Sequence, residues 1–388
     1  MHDRMHLVWA ASLLVALGSS TVARGDGGRG ATAALMSARQ KFFGVDNVDA
    51  RDGRVRNDRV IFSWATNTTY AVSVRGRVIL LDSFVTRLEV TAGRTPIVIQ
   101  DLVDLAPEAI LLGHGHGDHA DNAAFLAGTL GIPIFSSPET CDVMQLDAAR
   151  IFGAGSTVRC VGVVSRGAAP GAEIVKLDLL QPEATVTAFK HLHSGTVPTD
   201  PDVPLVTVKN IPDPRDADMF PAGVPLFAVQ DLRTTGFGGA AGAISLFYQV
   251  QLNDDPHFTF AWHNTTGPLK EQAPQLFDVM DALPKTDVEL GSVVSLGFTT
   301  NGERDIVLYN LHLQPKIFIP GHVTAVAVES SSLEWKVGYL KELDAVKVPQ
   351  ELRPELMWLV DPNDYLRPLV FDPKEDRWRT PRGRGGGG

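Results

Sequence analysis

The stretch LLGHGHGDHADN, residues 111–122, decides the reading of this chain. Within eight positions it sets His114, His116 and His119 beside Asp118 and Asp121. Imidazole and carboxylate together suit zinc, iron or manganese. A histidine repeated at i and i+2 places both rings on one side of an extended loop, so that they converge on one ion. His-rich tracts also occur as solvated low-complexity sequence, but this one has a defined setting. Before it, Ala109 to Leu112 reads as a buried strand. After it, Ala123, Ala124, Leu126, Ala127 and Leu130 give a helix an apolar face, Asp121 or Asn122 could cap its start, and Gly131 with Pro133 stops it. Gly113, Gly115 and Gly117 alternate with the candidate ligands and let the backbone turn tightly between inward-pointing side chains.

Strand signals lie on both sides of this tract. Val60 to Trp64, Tyr70 to Val74 and Val78 to Leu81 are apolar, β-rich runs broken by "NTT" and "RG", a meander whose last run ends on Asp82. Residues 184–189, ATVTAF, form another strand and lead into His191 and His193. AISLFYQVQL and HFTFAWHN read as two more strands joined at NDDP. IVLYNLHLQPKIFIPGHVT reads as a helix, a turn at Gln314–Pro315, a strand, and His322 in a loop. The Pro- and Asp-rich region from Thr196 to Val224 has few periodic elements.

The setting is that of an ordinary globular chain. Its 388 residues, 44% hydrophobic and 21% charged, suffice for a sizeable core. The formal charge of −10 disfavours nucleic acid or an anionic membrane as partner, since either calls for a clustered basic face. Residues 1–23 read as a signal peptide: Arg4 in a short polar start, an apolar run from Leu7 to Leu17, and small residues ending near Ala23. The run is short for a membrane span, and no cysteine follows it to carry a lipid, so no stable membrane anchor is expected. Export would let Cys141 and Cys160 pair across their separation of nineteen residues, the alternative being two free buried cysteines.

Taken in order, these motifs resemble those of the metallo-β-lactamase-fold hydrolases. The strand-ending Asp in VILLDSF, the HGHGDH tract, the histidine after the strand in TAFKHLHSG, the polar loop WHNTTGP and the last histidine in IPGH span residues 60 to 325. The resemblance implies an α/β fold, a four-layer αββα sandwich of two mixed β-sheets with helices on the outer faces. It would form a single domain over residues 24–388, with a substrate-loop insertion near 194–245. It also implies that His114 and His116, with His193 or alternatively His191, hold one metal. Asp118, His119 and His322 would hold a second, with Asp118 also orienting water or taking its proton. Asp82 would stand behind the ligands, hydrogen-bonding a ligand imidazole and fixing its tautomer.

One position departs from the family pattern. Where the family commonly carries a metal-bridging aspartate, this chain has Asn264, whose neutral amide would leave more of the repulsion between two cations uncompensated. Asn264 could still accept an ion through its carbonyl oxygen, or the adjacent His263 could supply a ligand. The chemistry implied is hydrolysis by a zinc-activated water, with one or two ions, on a small-molecule ester, lactone, amide or phosphodiester. Lys190, Lys209, Arg215 and Arg233 are candidates to meet an anionic substrate. The alternative reading is a non-catalytic metal- or ligand-binding protein that keeps the fold.

Overall fold

Strands buried on both faces build the first half of the molecule. The computed structural model describes residues 27–85, 97–194, 244–254, 258–293, 303–322, 329–360 and 363–379. After helix α1 (Gly27–Phe43), strands β1 (Val60–Thr66), β2 (Thr69–Val74) and β3 (Arg77–Leu81) form the expected antiparallel meander. Arg75 and Gly76 join β2 to β3 with φ of 51° and 85°. Two successive positive φ values suit the twist of a tight hairpin. Helix α2 (Ile99–Leu105) leads to β4 (Ile110–Leu111), then α3 (Gly117–Ala120), α4 (Ala123–Leu130), β5 (Ile134–Ser136), α5 (Pro138–Phe152) and β6 (Cys160–Gly162). From β3 to β6 the neighbouring strands run parallel.

The second half begins with β7 (Ile174–Leu177), β8 (Ala184–Leu192), β9 (Ile244–Leu252) and β10 (Thr259–His263), paired antiparallel. Helices α6 (Leu269–Gln272) and α7 (Gln275–Ala282) precede β11 (Val288–Ser292). Helix α8 (Arg304–Leu313) precedes β12 (Ile317–Gly321), and α9 (Glu329–Ala345) precedes β13 (Glu355–Leu356) and β14 (Pro368–Phe371). The result is two seven-stranded mixed sheets, ordered β14-β1-β2-β3-β4-β5-β6 and β13-β12-β11-β10-β9-β8-β7.

Alternate residues of each strand face opposite layers. Val60, Phe62 and Trp64 of β1 meet Val250, Phe260, Trp262 and Leu290 between the sheets. Ile61 and Ala65 of the same strand turn outward to pack with Phe42, Leu102, Leu126 and Met144 of α1, α2, α4 and α5. On the far side, Phe247, Ala261 and Phe318 pack with Leu276, Ile306 and Tyr339 of α7, α8 and α9. Three apolar layers between four structural layers define the αββα sandwich that the motif order implies, with helices on both outer faces.

A disulfide joins Cys141 on α5 to Cys160 on the edge strand β6, with their Cα atoms 5.4 Å apart. It ties the outer helix to the end of the first sheet. Asn122 occupies the position before α4, as expected, but it is in the left-handed region and makes no side-chain cap. Its amide donates instead to the Ser83 carbonyl, which ties this turn to the end of β3. The expected leader at 1–23 and most of the expected insertion, residues 195–243, lie outside the described residues, as do Lys209, Arg215 and Arg233. Among the described residues no helix is long and apolar enough to cross a membrane.

Candidate metal centre

Strand polarity gathers the site. Asp82, the histidine tract, His193, Asn264 and His322 each follow the carboxyl end of a strand, namely β3, β4, β8, β10 and β12. Strands β3 and β4 are parallel, and β8, β10 and β12 share one direction through the pairings between them. All these segments therefore emerge at strand carboxyl ends. After Leu111 the chain stays pinned for two residues, with Leu112 N–H donating to Phe135 and Gly113 N–H to Asp82 Oδ1. It then turns into α3, where the His116 carbonyl accepts from His119 and Ala120 and so fixes Asp118 and His119 on one helical turn.

Two groups of donors result. One ligand atom from each of His114, His116 and His193 lies within 4.8 Å of the others, and the same holds for Asp118, His119 and His322. In the first, His114 Nε2 is 3.1 Å from His116 Nδ1. In the second, His119 Nε2 is 3.1 Å from His322 Nε2, and Asp118 Oδ2 lies 3.4 and 3.3 Å from those two nitrogens. The structure thus brings together six of the expected ligands and chooses His193 over His191. The His191 ring instead lies beside the Tyr309 hydroxyl, with Nδ1 2.8 Å from that oxygen.

Hydrogen bonds away from the centre set the tautomers. His119 Nδ1–H donates to Asp82 Oδ2 at 2.8 Å, and His193 Nδ1–H to the Ser194 carbonyl at 2.9 Å. His114 Nδ1 lies 2.8 Å from Asn264 Oδ1. In each ring the lone pair is left on Nε2, the nitrogen of the inward side. Asp82, fully buried and in the left-handed region at φ 56°, is the acceptor at the middle of this arrangement. Besides His119 and Gly113 it accepts from the Thr68 hydroxyl at 2.9 Å and from Asn264 Nδ2 at 3.0 and 3.1 Å.

In the polar loop, the two ends of the Asn264 amide face Asp82 and His114. The adjacent His263 is turned to other partners: its Nδ1 faces the Thr265 carbonyl at 3.0 Å and its Nε2 faces Glu289 Oε1 at 2.9 Å. Lys190 donates to the Ala168 carbonyl and is not among the groups around the centre.

The sequence reading missed Asn67 and Thr68. Both sit in the β1–β2 turn and are buried. Asn67 Nδ2 donates to the Asp118 carbonyl and lies 3.2 Å from its Oδ2, while the Asn67 carbonyl accepts from His322 N–H. One asparagine therefore holds ligands that come from both sheets. Thr68 lies between Asp82 and His119, its hydroxyl 3.1 Å from His119 Nδ1. The available signal was polar residues in the tight "NTT" turn between two apolar strands, which reads equally well as an exposed turn.

Electrostatics suit a cation. Burial, then the neighbouring rings of His119, His193 and His116, push His114 well below the ordinary histidine value. Burial also lowers His193, to about 4. Both are therefore neutral near pH 7, the form that binds metal. Burial works to raise Asp118, but His119 and His322 outweigh it and hold the carboxyl well below the usual range. For His119, burial is outweighed by Asp118 and Asp82, which raise its affinity for positive charge. Asp118 Oδ1 is buried with no hydrogen-bond partner among the described residues. Asp118 Oδ2 and the imidazole nitrogens that face it are costly to bury alone and are satisfied together by a divalent transition ion. The residues fit such ions. The first group would hold one with neutral donors only, and the second with one carboxylate.

No protein-family model matches the sequence, and no curated protein matches it. Among solved structures the chain is similar to a metallo hydrolase from the hyperthermophilic archaeon Ignicoccus hospitalis, at 13% identity and TM-score 0.44 over 81% of this chain and 98% of that one. It is similar to CmlA, a diiron β-hydroxylase from Streptomyces venezuelae, at 10% identity and TM-score 0.45 over 82% of this chain. The match covers 55% of CmlA, so the chain spans about half that protein's length. Zn(2+)-bound PqqB from Methylobacterium extorquens matches at 12% identity and TM-score 0.41, over 78% of this chain and 86% of PqqB.

Proposed function

We propose that this chain is a metal-dependent hydrolase of the metallo-β-lactamase superfamily, acting on an ester, lactone, amide or phosphodiester bond of a small molecule. The observation that carries the reading is the convergence of His114, His116 and His193 beside Asp118, His119 and His322 at the carboxyl ends of strands from both sheets. When bound there, a divalent ion polarises a carbonyl or phosphoryl oxygen and lowers the pKa of water. The protein's own part is to hold neutral imidazoles in one tautomer through Asp82, Asn264 and Ser194, and to keep Asp118 ionised. In this reading Asp118 orients water or takes its proton through Oδ1, the oxygen with no hydrogen-bond partner among the described residues.

Zinc is the proposed metal, because imidazole-rich donor sets with one carboxylate suit it. Export is proposed from the leader-like residues 1–23 together with the disulfide, which persists in an oxidising compartment. The net charge of −10 favours a small-molecule substrate over nucleic acid. A non-catalytic metal-binding role is the second reading, since two convergent donor groups would hold an ion with or without turnover.

The two readings separate in one screen. Protein loaded with zinc is tested on chromogenic lactone, ester, amide and phosphodiester substrates before and after chelation. Chelator-sensitive turnover of any of them supports the hydrolase, and full metal occupancy without turnover on all four classes supports the binding protein.

A further inference from the structure

An amide presents a donor at one end and an acceptor at the other, and Asn264 uses both. Its Nδ2 lies 3.1 and 3.0 Å from the two oxygens of Asp82, which only accept, so the nitrogen end must face that carboxylate. Its Oδ1 then faces His114 Nδ1 at 2.8 Å and accepts the proton there. The side chain is fully buried. Its seat is made by Gly113, where a Cβ would overlap the Asn264 carboxamide, so glycine is needed for close approach rather than for turning. The Gly113 N–H also donates to Asp82 Oδ1.

We propose that Asn264 is a positioning residue that relays Asp82 to His114, and that an aspartate in its place weakens the centre instead of completing it. The proposal rests on reading the two donor groups as metal sites. One buried carboxylate then sets both halves: Asp82 fixes His119 directly and His114 through the amide. Replacing the amide by a carboxylate exchanges the Nδ2 donor for an acceptor. Two buried carboxylates would face each other across the present hydrogen-bond distance, and they must share a proton or separate. Separation removes the fixed acceptor from His114 and frees its ring to adopt the wrong tautomer, and sharing makes that acceptor depend on a bound proton that the amide does not need.

The probe is cobalt(II), added to the full chain as wild type, Asn264→Asp, Asn264→Ala and Gly113→Ala. Ions per chain, the d–d absorption spectrum and chelator competition are read together, none of which needs turnover. Loss of an outer hydrogen-bond partner lowers metal affinity by about 10–100-fold. That loss is expected in all three variants at the three-histidine group, with the Asp118 group less affected. Tighter cobalt binding by Asn264→Asp, or spectra and competition identical to wild type in all three variants, would overturn the proposal. Long-range 1H–15N correlation on zinc-loaded wild type tests it without any variant: a proton on His114 Nδ1 is expected, and a proton on Nε2 overturns it. Wild-type protein that binds no cobalt overturns the metal-centre reading and this proposal with it. Full loading with the expected variant pattern, but no hydrolysis, removes the hydrolase reading alone.

Discussion

The Nε2 atoms of His119 and His322 lie 3.1 Å apart although the first follows a strand of one sheet and the second a strand of the other. Asn67 sits between their segments, holding the Asp118 carbonyl and the His322 N–H. The centre is therefore a junction of the two sheets, and its ligands depend on packing as much as on chemistry.

His322→Ala should remove the second sheet's ligand from the Asp118 group with little effect on the fold, since this side chain is partly exposed. Elemental analysis should show lower metal content, and a denaturant midpoint should show a change within about 0.5 kcal/mol for the metal-free protein. An unchanged metal content would remove His322 from the centre.

Thr68→Val keeps the shape of the turn but deprives Asp82 of a hydroxyl donor. Hydrogen bonds to charged groups contribute about 1.5–3 kcal/mol, and urea unfolding should show a loss of that order. Metal affinity should fall with it, because the same carboxylate orients His119. Stability equal to wild type would mean that Thr68 is replaceable by packing alone.

The buried pair of His263 and Glu289 should prove structural. Both nitrogens of the His263 ring face oxygen acceptors, and Asn310 adds a donor to Glu289 Oε2. Truncation by Glu289→Ala leaves His263 Nε2 and Asn310 Nδ2 without their buried acceptors, at a cost of about 1–3 kcal/mol for each unsatisfied group. Thermal or urea unfolding of the metal-free protein measures this, and a near-neutral effect would show that the pair is replaceable by packing or water.

Glu303 should make stability fall as pH rises. Burial first, then Glu342, push its carboxyl up to about 8, with the side chain against Gly338 of α9. The folded state thus holds this proton where the unfolded chain releases it. The contribution is fully present below the ordinary carboxylate value and is lost as pH climbs through about 8. Urea midpoints at pH 5 and pH 8 should therefore differ less in Glu303→Gln than in wild type, and an equal difference in both would assign the slope to other groups.

Cys141 and Cys160 should titrate as no free thiol in denatured, unreduced protein. Closing a loop of this size contributes about 3 kcal/mol in the chain-entropy treatment, and reduction should lower the unfolding midpoint accordingly. Two free thiols per chain would rule out the bridge.

Much of this was legible because local pattern and chemistry coincide in the tract from His114 to His119. The strand before it, the helix after it and the strand-ending Asp82 follow from apolar periodicity, and the six residues of the two donor groups follow from motif order. What was not legible depends on contacts distant in sequence. Asn67 and Thr68 look like an ordinary turn until the second sheet buries them. Asn264 looks like a weakened ligand until Gly113, some 150 positions earlier, is seen to leave room for its amide beneath Asp82. The choice between His191 and His193 likewise needs the third dimension: His191 lies within β8 with its ring beside Tyr309, whereas His193 follows the end of that strand and joins His114 and His116.

The central claim, that the two donor groups hold metal used in hydrolysis, is tested most directly by measuring hydrolysis rate against zinc content in a single preparation of wild-type chain, stripped by chelator and then titrated. The rate should vanish in the metal-free protein and return in proportion as zinc is restored. Undiminished hydrolysis by protein shown to contain no metal would contradict it.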